Sequence, residues 1–360
     1  MIRVLVEDDP YLRIVPVLLD SRITAEHRAA LSDFMAHDIP DFESWLHKLQ
    51  SELSGLYPAQ IDLVKDQADL QAKLPGAKAA IIEALPFGEK EIALGKDLAI
   101  VHKFGTLSAN IDIAACARHN LPVRIQKRRV NVAVAEQAFT LMIALARRLC
   151  ETNGIVDSAS LDAAGFNSRP YDRRYTTNSN YGRIPNIKVL YGSTFGALGM
   201  GEIGREVAAR AASFGMKVIY HQRNRMSLID EAMYNAEYVS FDELLQRSDF
   251  LSIHLPLNDT TRGIIDRSAL QKLKTGAIVV NIARAQLIDR EALNQALESG
   301  KLGGYGLDVG YEEPGRADEP LKKFKNVILT PHTAVAQRDL GLIDMAEICK
   351  RIWSAVTEKT

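Results

Sequence analysis

The feature that most constrains this chain is a rhythm that starts at Thr194, where short apolar runs alternate with helical segments. The runs Thr194–Leu198, Lys217–His221, Phe250–Leu255, Ala277–Ile282, Tyr305–Val309 and Val327–Leu329 read as strands. Strands that are apolar throughout, separated by helices, belong to a parallel sheet covered on both faces. Several helix ends are legible. Ser240-Phe241-Asp242-Glu243 reads as a capping box and Asp289 as an N-cap, while Gly215, Gly276 and Gly300 stand where helices should stop.

The first 107 residues show a looser α/β alternation, with extended runs at Ala79–Ala84 and Leu98–His102 and a helix-like Asp41–Leu53. The rhythm changes near residue 108. Ile111–Arg118 reads as helical, Leu121–Ile125 as extended and Asn131–Arg148 as a long helix. In that helix Val132, Val134, Ala135, Phe139, Leu141, Met142, Ile143 and Leu145 leave almost no polar face, so it must be buried in a core or against another subunit. Arg338–Val356 is helical again and lies past the last strand, where it can return to the first domain. The expected division is therefore 1–107 with 334–360, and 108–333 inserted between them.

Charge narrows the function classes. Lys plus Arg is 44 and Asp plus Glu is 45, a net charge of −1, so no global field attracts nucleic acid or an anionic membrane. Hydrophobic residues at 47% and charged residues at 25% exclude disordered and fibrous architectures. Cys116, Cys150 and Cys349 have no metal-ligand or paired spacing, which predicts no disulfide framework, no metal site and a reducing compartment. Met1–Val6 runs directly into Glu7, Asp8 and Asp9, unlike a signal peptide. The apolar run Ala138–Ala146 falls short of the roughly 18 to 20 residues of a membrane span. The terminal Glu-Lys-Thr is no peroxisomal address. A cytoplasmic protein is expected.

Between the strand at Thr194 and the next helix lies Gly199-Met200-Gly201-Glu202-Ile203-Gly204, with Ile203, Val207, Ala208, Ala211 and Phe214 on one helix face. In a dinucleotide site the first glycine allows a tight turn, the second lets backbone approach a pyrophosphate and the third lets helix and strand pack closely. The alternative is a plain structural turn. The fold class expected from this motif and the strand rhythm is α/β, with two Rossmann-like domains built on doubly wound parallel sheets. The following strand ends in His221-Gln222-Arg223-Asn224-Arg225, with no carboxylate to bind a ribose 2′-hydroxyl and two arginines suited to a 2′-phosphate. NADP(H) is favoured and NAD(H) remains open. The alternative for the two arginines is a solvated basic loop.

Three further patterns lie at strand ends: Asn281-Ile282-Ala283-Arg284, then Leu307-Asp308-Val309 with Glu312-Glu313-Pro314, then Thr330-Pro331-His332-Thr333. With the glycine motif, and in this order, they resemble the D-2-hydroxyacid dehydrogenase family from about Leu98 to the C-terminus, and among its members NADPH-dependent glyoxylate or hydroxypyruvate reductases. The resemblance implies that Arg284 binds the substrate carboxylate, that His332 is the general acid/base and that Glu313 orients it, Glu312 being the weaker candidate. It implies that Asp308 contacts the nicotinamide carboxamide, that Pro256 walls the adenosine pocket beside His254, and that Ile282 and Ala283 line the coenzyme. It also implies a substrate loop at Gly105, Thr106 and Leu107, and a homodimer formed through the helix Asn131–Arg148.

Departures from the family pattern are local. Leu107 and Ala285 stand where glycine is common, and Gly310 replaces an aromatic whose space Tyr311 either fills or leaves open. Lys127-Arg128-Arg129 replaces a Thr-Pro-Gly turn, and reads as a solvated loop more readily than as an attractor of anions. The expected activity is hydride transfer between NADP(H) and a small 2-oxo or 2-hydroxy acid. A coenzyme-sensing binding protein of the same fold, such as a corepressor, is the alternative. Glu313 argues against a formate dehydrogenase, which pairs its histidine with glutamine.

Overall fold

The computed structural model describes residues 1–357. The chain forms two compact units, one made of Met1–Asn131 with the chain from Val335 on, the other of Val132–Ala334.

The first unit holds β1 (Arg3–Glu7), β2 (Gln60–Val64), β3 (Ala79–Ile82), β4 (Ile100–Phe104) and β5 (Val123–Gln126), all parallel, in the order β2-β1-β3-β4-β5. Side chains alternate between two buried faces. Val4, Val6 and Ile81 pack with helix Phe42–Glu52 and the C-terminal helix Asp339–Thr357, whose Leu342, Met345, Ile348, Cys349 and Ile352 are buried. Leu5, Ala80 and Ile82 pack on the other face with Leu70, Ala115 and Cys116.

The boundary between the units lies at Asn131, not near residue 107. Strand β5 pairs with β4, and Ala115, Cys116 and Leu121 fill the first unit's core. The change of rhythm at residue 108 thus marks a short helix, Ile113–Arg118, and an edge strand with exposed Arg124 and Ile125, rather than a new domain.

The second unit holds β6 (Thr194–Leu198), β7 (Lys217–His221), β8 (Ala236–Tyr238), β9 (Phe250–Ile253), β10 (Ala277–Asn281), β11 (Leu302–Leu307) and β12 (Val327–Leu329). Their order is β12-β11-β10-β9-β6-β7-β8, again all parallel. The three-residue β8 is too short to leave a sequence period. Strand order reverses between β6 and β9, and ligands of open α/β sheets bind at the carboxyl ends beside such a switch.

The long helix spans Arg129–Ala146. By length and composition it could cross a membrane, a longer apolar element than the Ala138–Ala146 run, and half of its 18 residues are buried within the chain. Gly304 and Gly306 of β11 admit it closely: a Cβ at either would lie 3.1 or 3.0 Å from Leu145 or Leu141. Beyond it the chain leaves Leu149, Val156, Tyr175, Val189 and Tyr191 exposed.

Candidate active site

The glycine loop follows β6, and its three glycines serve three distinct geometric needs. Gly199 has φ +98°, and a Cβ there would stand 2.9 Å from the His254 carbonyl oxygen. Gly201 caps helix Glu202–Ser213 without a side-chain bond, and a Cβ there would meet nothing within 4 Å. The first-turn N–H groups, at half-buried Glu202 and Ile203, therefore face an open approach suited to an anion. At Gly204 a Cβ would come within 2.3 Å of the Gly199 carbonyl oxygen. These residues fit a dinucleotide pyrophosphate. Phe214 departs from the expected buried face: it caps the helix C-terminus, half exposed, with its ring 4.9 Å from that of Phe139.

His254, at the end of β9, lies under this loop with both ring nitrogens enclosed and unpartnered. Burial pushes its pKa down to about 3, so the imidazole is neutral. Pro256 follows on the exposed side.

At the end of β7, Gln222 ties two loops together. Its Oε1 accepts from the Met200 N–H at 3.0 Å and its Nε2 donates to the Asn224 carbonyl at 2.7 Å. Arg223 and Asn224 are exposed, and Arg223 has no ion-pair partner among the described residues. Arg225 differs from expectation. Its Nε and Nη2 donate to both oxygens of Glu231, each at 2.7 Å. Glu231 also accepts from the Tyr220 hydroxyl at 2.7 Å, and the Arg225 guanidinium first, Tyr220 second, hold its carboxyl down at about 2. Nothing in the sequence pattern singles out Glu231 as the partner.

The candidate reactive groups stand beyond β10, β11 and β12. Asn281, fully buried, accepts from the Ala283 N–H at 3.1 Å and donates to the Arg284 carbonyl at 2.8 Å, closing the turn that presents Arg284. Within that turn Ile282 is buried and Ala283 half-buried. Arg284 is exposed; its Nη1 donates to the Ala283 carbonyl at 2.6 Å, and no carboxylate among the described residues pairs with it.

His332 sits in the left-handed region at φ +55°. Its Nδ1 lies 3.1 Å from Glu313 Oε2, and because a carboxylate only accepts, Nδ1 carries the proton. The other oxygen of Glu313 accepts from the Gly310 N–H at 3.0 Å. Glu312 belongs to another network, 3.1 Å from Arg290. Tyr311 donates to the Ile288 carbonyl at 3.1 Å under the Arg290 guanidinium. A Cβ at Gly310 would come within 2.6 Å of the Glu312 carbonyl oxygen, so the returning loop excludes any side chain there. A cleft of about 520 Å³ opens beside Glu313 and His332, lined also by Pro314, Leu329 and Pro331.

Asp308 does more for this loop than the sequence suggested. Its Oδ1 accepts from the Thr330 hydroxyl at 2.5 Å, the Thr333 N–H at 2.9 Å and Gln137 at 3.4 Å, and its Oδ2 accepts from the Ala334 N–H at 2.9 Å. The carboxylate is fully buried, and through these bonds it fixes the turn that carries His332.

In the first unit the loop after β4 begins at buried Gly105, φ +112°, whose N–H donates to the Gln126 carbonyl at 2.9 Å; Thr106 and Leu107 are exposed. In the basic segment Lys127 is exposed, but the two arginines are half-buried rather than solvated. Arg128 pairs with Glu83, donates to the Phe104 carbonyl at 2.9 Å and stacks 4.2 Å from the Phe104 ring centre. Arg129 bridges Asp344 and Glu347. Both arginine charges are thus engaged in holding the strand ends and the C-terminal helix.

Residues 139–334 match the family model described as D-isomer specific 2-hydroxyacid dehydrogenase, NAD binding domain. The chain is 32% identical over 320 residues to a glyoxylate reductase of Korarchaeum cryptofilum, covering 85% of this chain and 87% of that protein. It is 40% identical over 263 residues to the 4-methyl-2-oxopentanoate reductase A of Aspergillus oryzae, covering 72% and 73%. A solved glyoxylate reductase from Paecilomyes thermophila superposes with a TM-score of 0.53 at 28% identity, covering 98% of this chain and 95% of that one. On the matched motifs and on these likenesses, the chain belongs to the D-isomer specific 2-hydroxyacid dehydrogenase family.

Proposed function

We propose that this oxidoreductase is an NADPH-preferring reductase of a small 2-oxo acid such as glyoxylate or hydroxypyruvate. The observation that carries the reading is the 3.1 Å His332–Glu313 pair, with an exposed arginine at a neighbouring strand end, Arg284, that no carboxylate among the described residues engages. The bound coenzyme supplies the hydride. Arg284 pairs with the acid's carboxylate through two parallel hydrogen bonds, which fixes the carbonyl. His332 gives the proton on Nε2 to the carbonyl oxygen as it becomes an alcohol. Glu313, accepting from Nδ1, holds the orientation of the ring during that transfer.

The unit Val132–Ala334 is assigned to the coenzyme and the other unit to the substrate, through Gly105, Thr106 and Leu107. Exposed Arg223 supports NADPH over NADH, with Pro256 near the adenosine. The exposed Leu149, Val156, Val189 and Tyr191, close in sequence to a half-buried apolar helix, support a homodimer. Three unpaired cysteines fit a cytoplasmic setting.

Steady oxidation of NADPH and of NADH with a panel of 2-oxo acids tests the reading, and no turnover with any acid would favour a coenzyme sensor. His332→Gln is expected to lower kcat by at least about 10³-fold with NADPH binding little changed; undiminished turnover would remove its role. Sedimentation at micromolar concentration should give a dimer.

A further inference from the structure

Two arginines follow β7, and the structure separates them. Arg223 is exposed and makes no ion pair among the described residues. Arg225 gives Nε and Nη2 to Glu231, whose side chain is only 10% exposed while that of Arg225 is 55% exposed. Drawing Arg225 away would leave an almost buried carboxylate with Tyr220 as its remaining partner, a costly state. The same carboxylate cancels the charge of Arg225 and would repel an approaching phosphate. The arrangement is braced, since the Met226 N–H donates to the Tyr220 hydroxyl at 2.9 Å and the Tyr238 hydroxyl donates to the Gln222 carbonyl at 3.3 Å.

We propose that Glu231 sets the coenzyme preference by withholding Arg225 from the 2′-phosphate, which leaves Arg223 as the guanidinium that recognises it. This rests on the dinucleotide reading of the site. It makes Glu231 a positioning residue that weakens discrimination against NADH, because one arginine of the two is neutralised in place.

The test measures kcat/KM for NADPH and NADH, and the dissociation constants of 2′,5′-ADP and 5′-AMP, in the parent enzyme, Arg223→Ala, Arg225→Ala and Glu231→Gln. A charge-assisted hydrogen bond to phosphate corresponds to roughly tenfold or more in affinity. Arg223→Ala is expected to lower the NADPH/NADH ratio and the preference for 2′,5′-ADP by about that factor. Arg225→Ala should leave both ratios within about twofold while lowering Tm, since Glu231 loses its partner. Glu231→Gln should raise both ratios roughly tenfold as the released guanidinium becomes available. If it folds poorly, Tyr220→Phe, which removes the second partner of Glu231, must leave the ratios nearer the parent than Arg223→Ala does.

Arg225→Ala lowering the ratios as far as Arg223→Ala would overturn the proposal, as would Glu231→Gln leaving them unchanged. A parent enzyme that prefers NADH would refute the NADPH reading alone. In that case a ratio that rises in Glu231→Gln would still support the restraint on Arg225.

Discussion

Replacing Asp308 by alanine should loosen the turn that carries His332 without touching either ring nitrogen. The magnitude follows from what the carboxylate holds. Ala334 is buried, so its N–H would lose its acceptor where water has little access, while Thr333 is exposed and its N–H can be rehydrated in part. A buried donor left unsatisfied costs about 1–3 kcal/mol, so the two together, with the hydroxyl bond from Thr330, amount to about 2–4 kcal/mol. Asp308→Asn keeps one acceptor oxygen but presents an NH₂ to one of the two backbone donors, for about 1–2 kcal/mol. A turn displaced by about 1 Å misplaces the His332 imidazole, and for the role proposed for it such errors cost on the order of 10²-fold in rate. Urea denaturation and kcat under saturating substrate measure both effects, and the order parent, Asn, Ala should appear in each. Stability within about 0.5 kcal/mol of the parent, with kcat retained, would refute the claim that Asp308 fixes this turn.

Other consequences are separable. Gly204→Ala forces a methyl to within 2.3 Å of a backbone oxygen, so it should cost about 1–3 kcal/mol and weaken dinucleotide binding. Gly201→Ala, with open space at its Cβ, should leave Tm near the parent value yet weaken binding by crowding the pyrophosphate; thermal melts with and without NADPH distinguish the two. His102 is fully buried in β4 and burial lowers its pKa from 6.5 to about 3, with Arg351 acting in the same direction. The unfolded chain therefore takes up a proton below pH 6.5 that the folded chain refuses. Stability present above pH 6.5 is lost as pH falls towards 3, by up to about 1.4 kcal/mol per pH unit for this group. His102→Leu should flatten urea midpoints plotted against pH over that range, and an unchanged slope would contradict the assignment.

Much of the architecture was legible because it is written in local period. Six of the seven strands of the second sheet fall within two or three residues of their apolar runs, and Ser240 and Asp289 cap the helices expected of them. Gly199 and Gly204 stand where a positive φ or a close backbone approach excludes a Cβ, whereas Gly201 has open space at its Cβ and was readable only through the spacing of the motif. The boundary at Asn131 was not readable, because an edge strand such as β5 has a partly solvated pattern that resembles a loop.

The two parallel α/β sheets, the order of the motifs and the residue types at the strand ends follow from local pattern, since backbone preference and burial act over a few neighbouring positions. Which charges are available depends on packing between distant segments. Arg128, Arg129 and Arg225 looked as free as Arg223 and Arg284, and they are bound to Glu83, to Asp344 with Glu347, and to Glu231. Asp308 likewise became an internal anchor through donors mostly 22 to 26 residues further on. The reason is that an ion pair or a buried hydrogen bond is set by distance in space, which no period along the chain encodes.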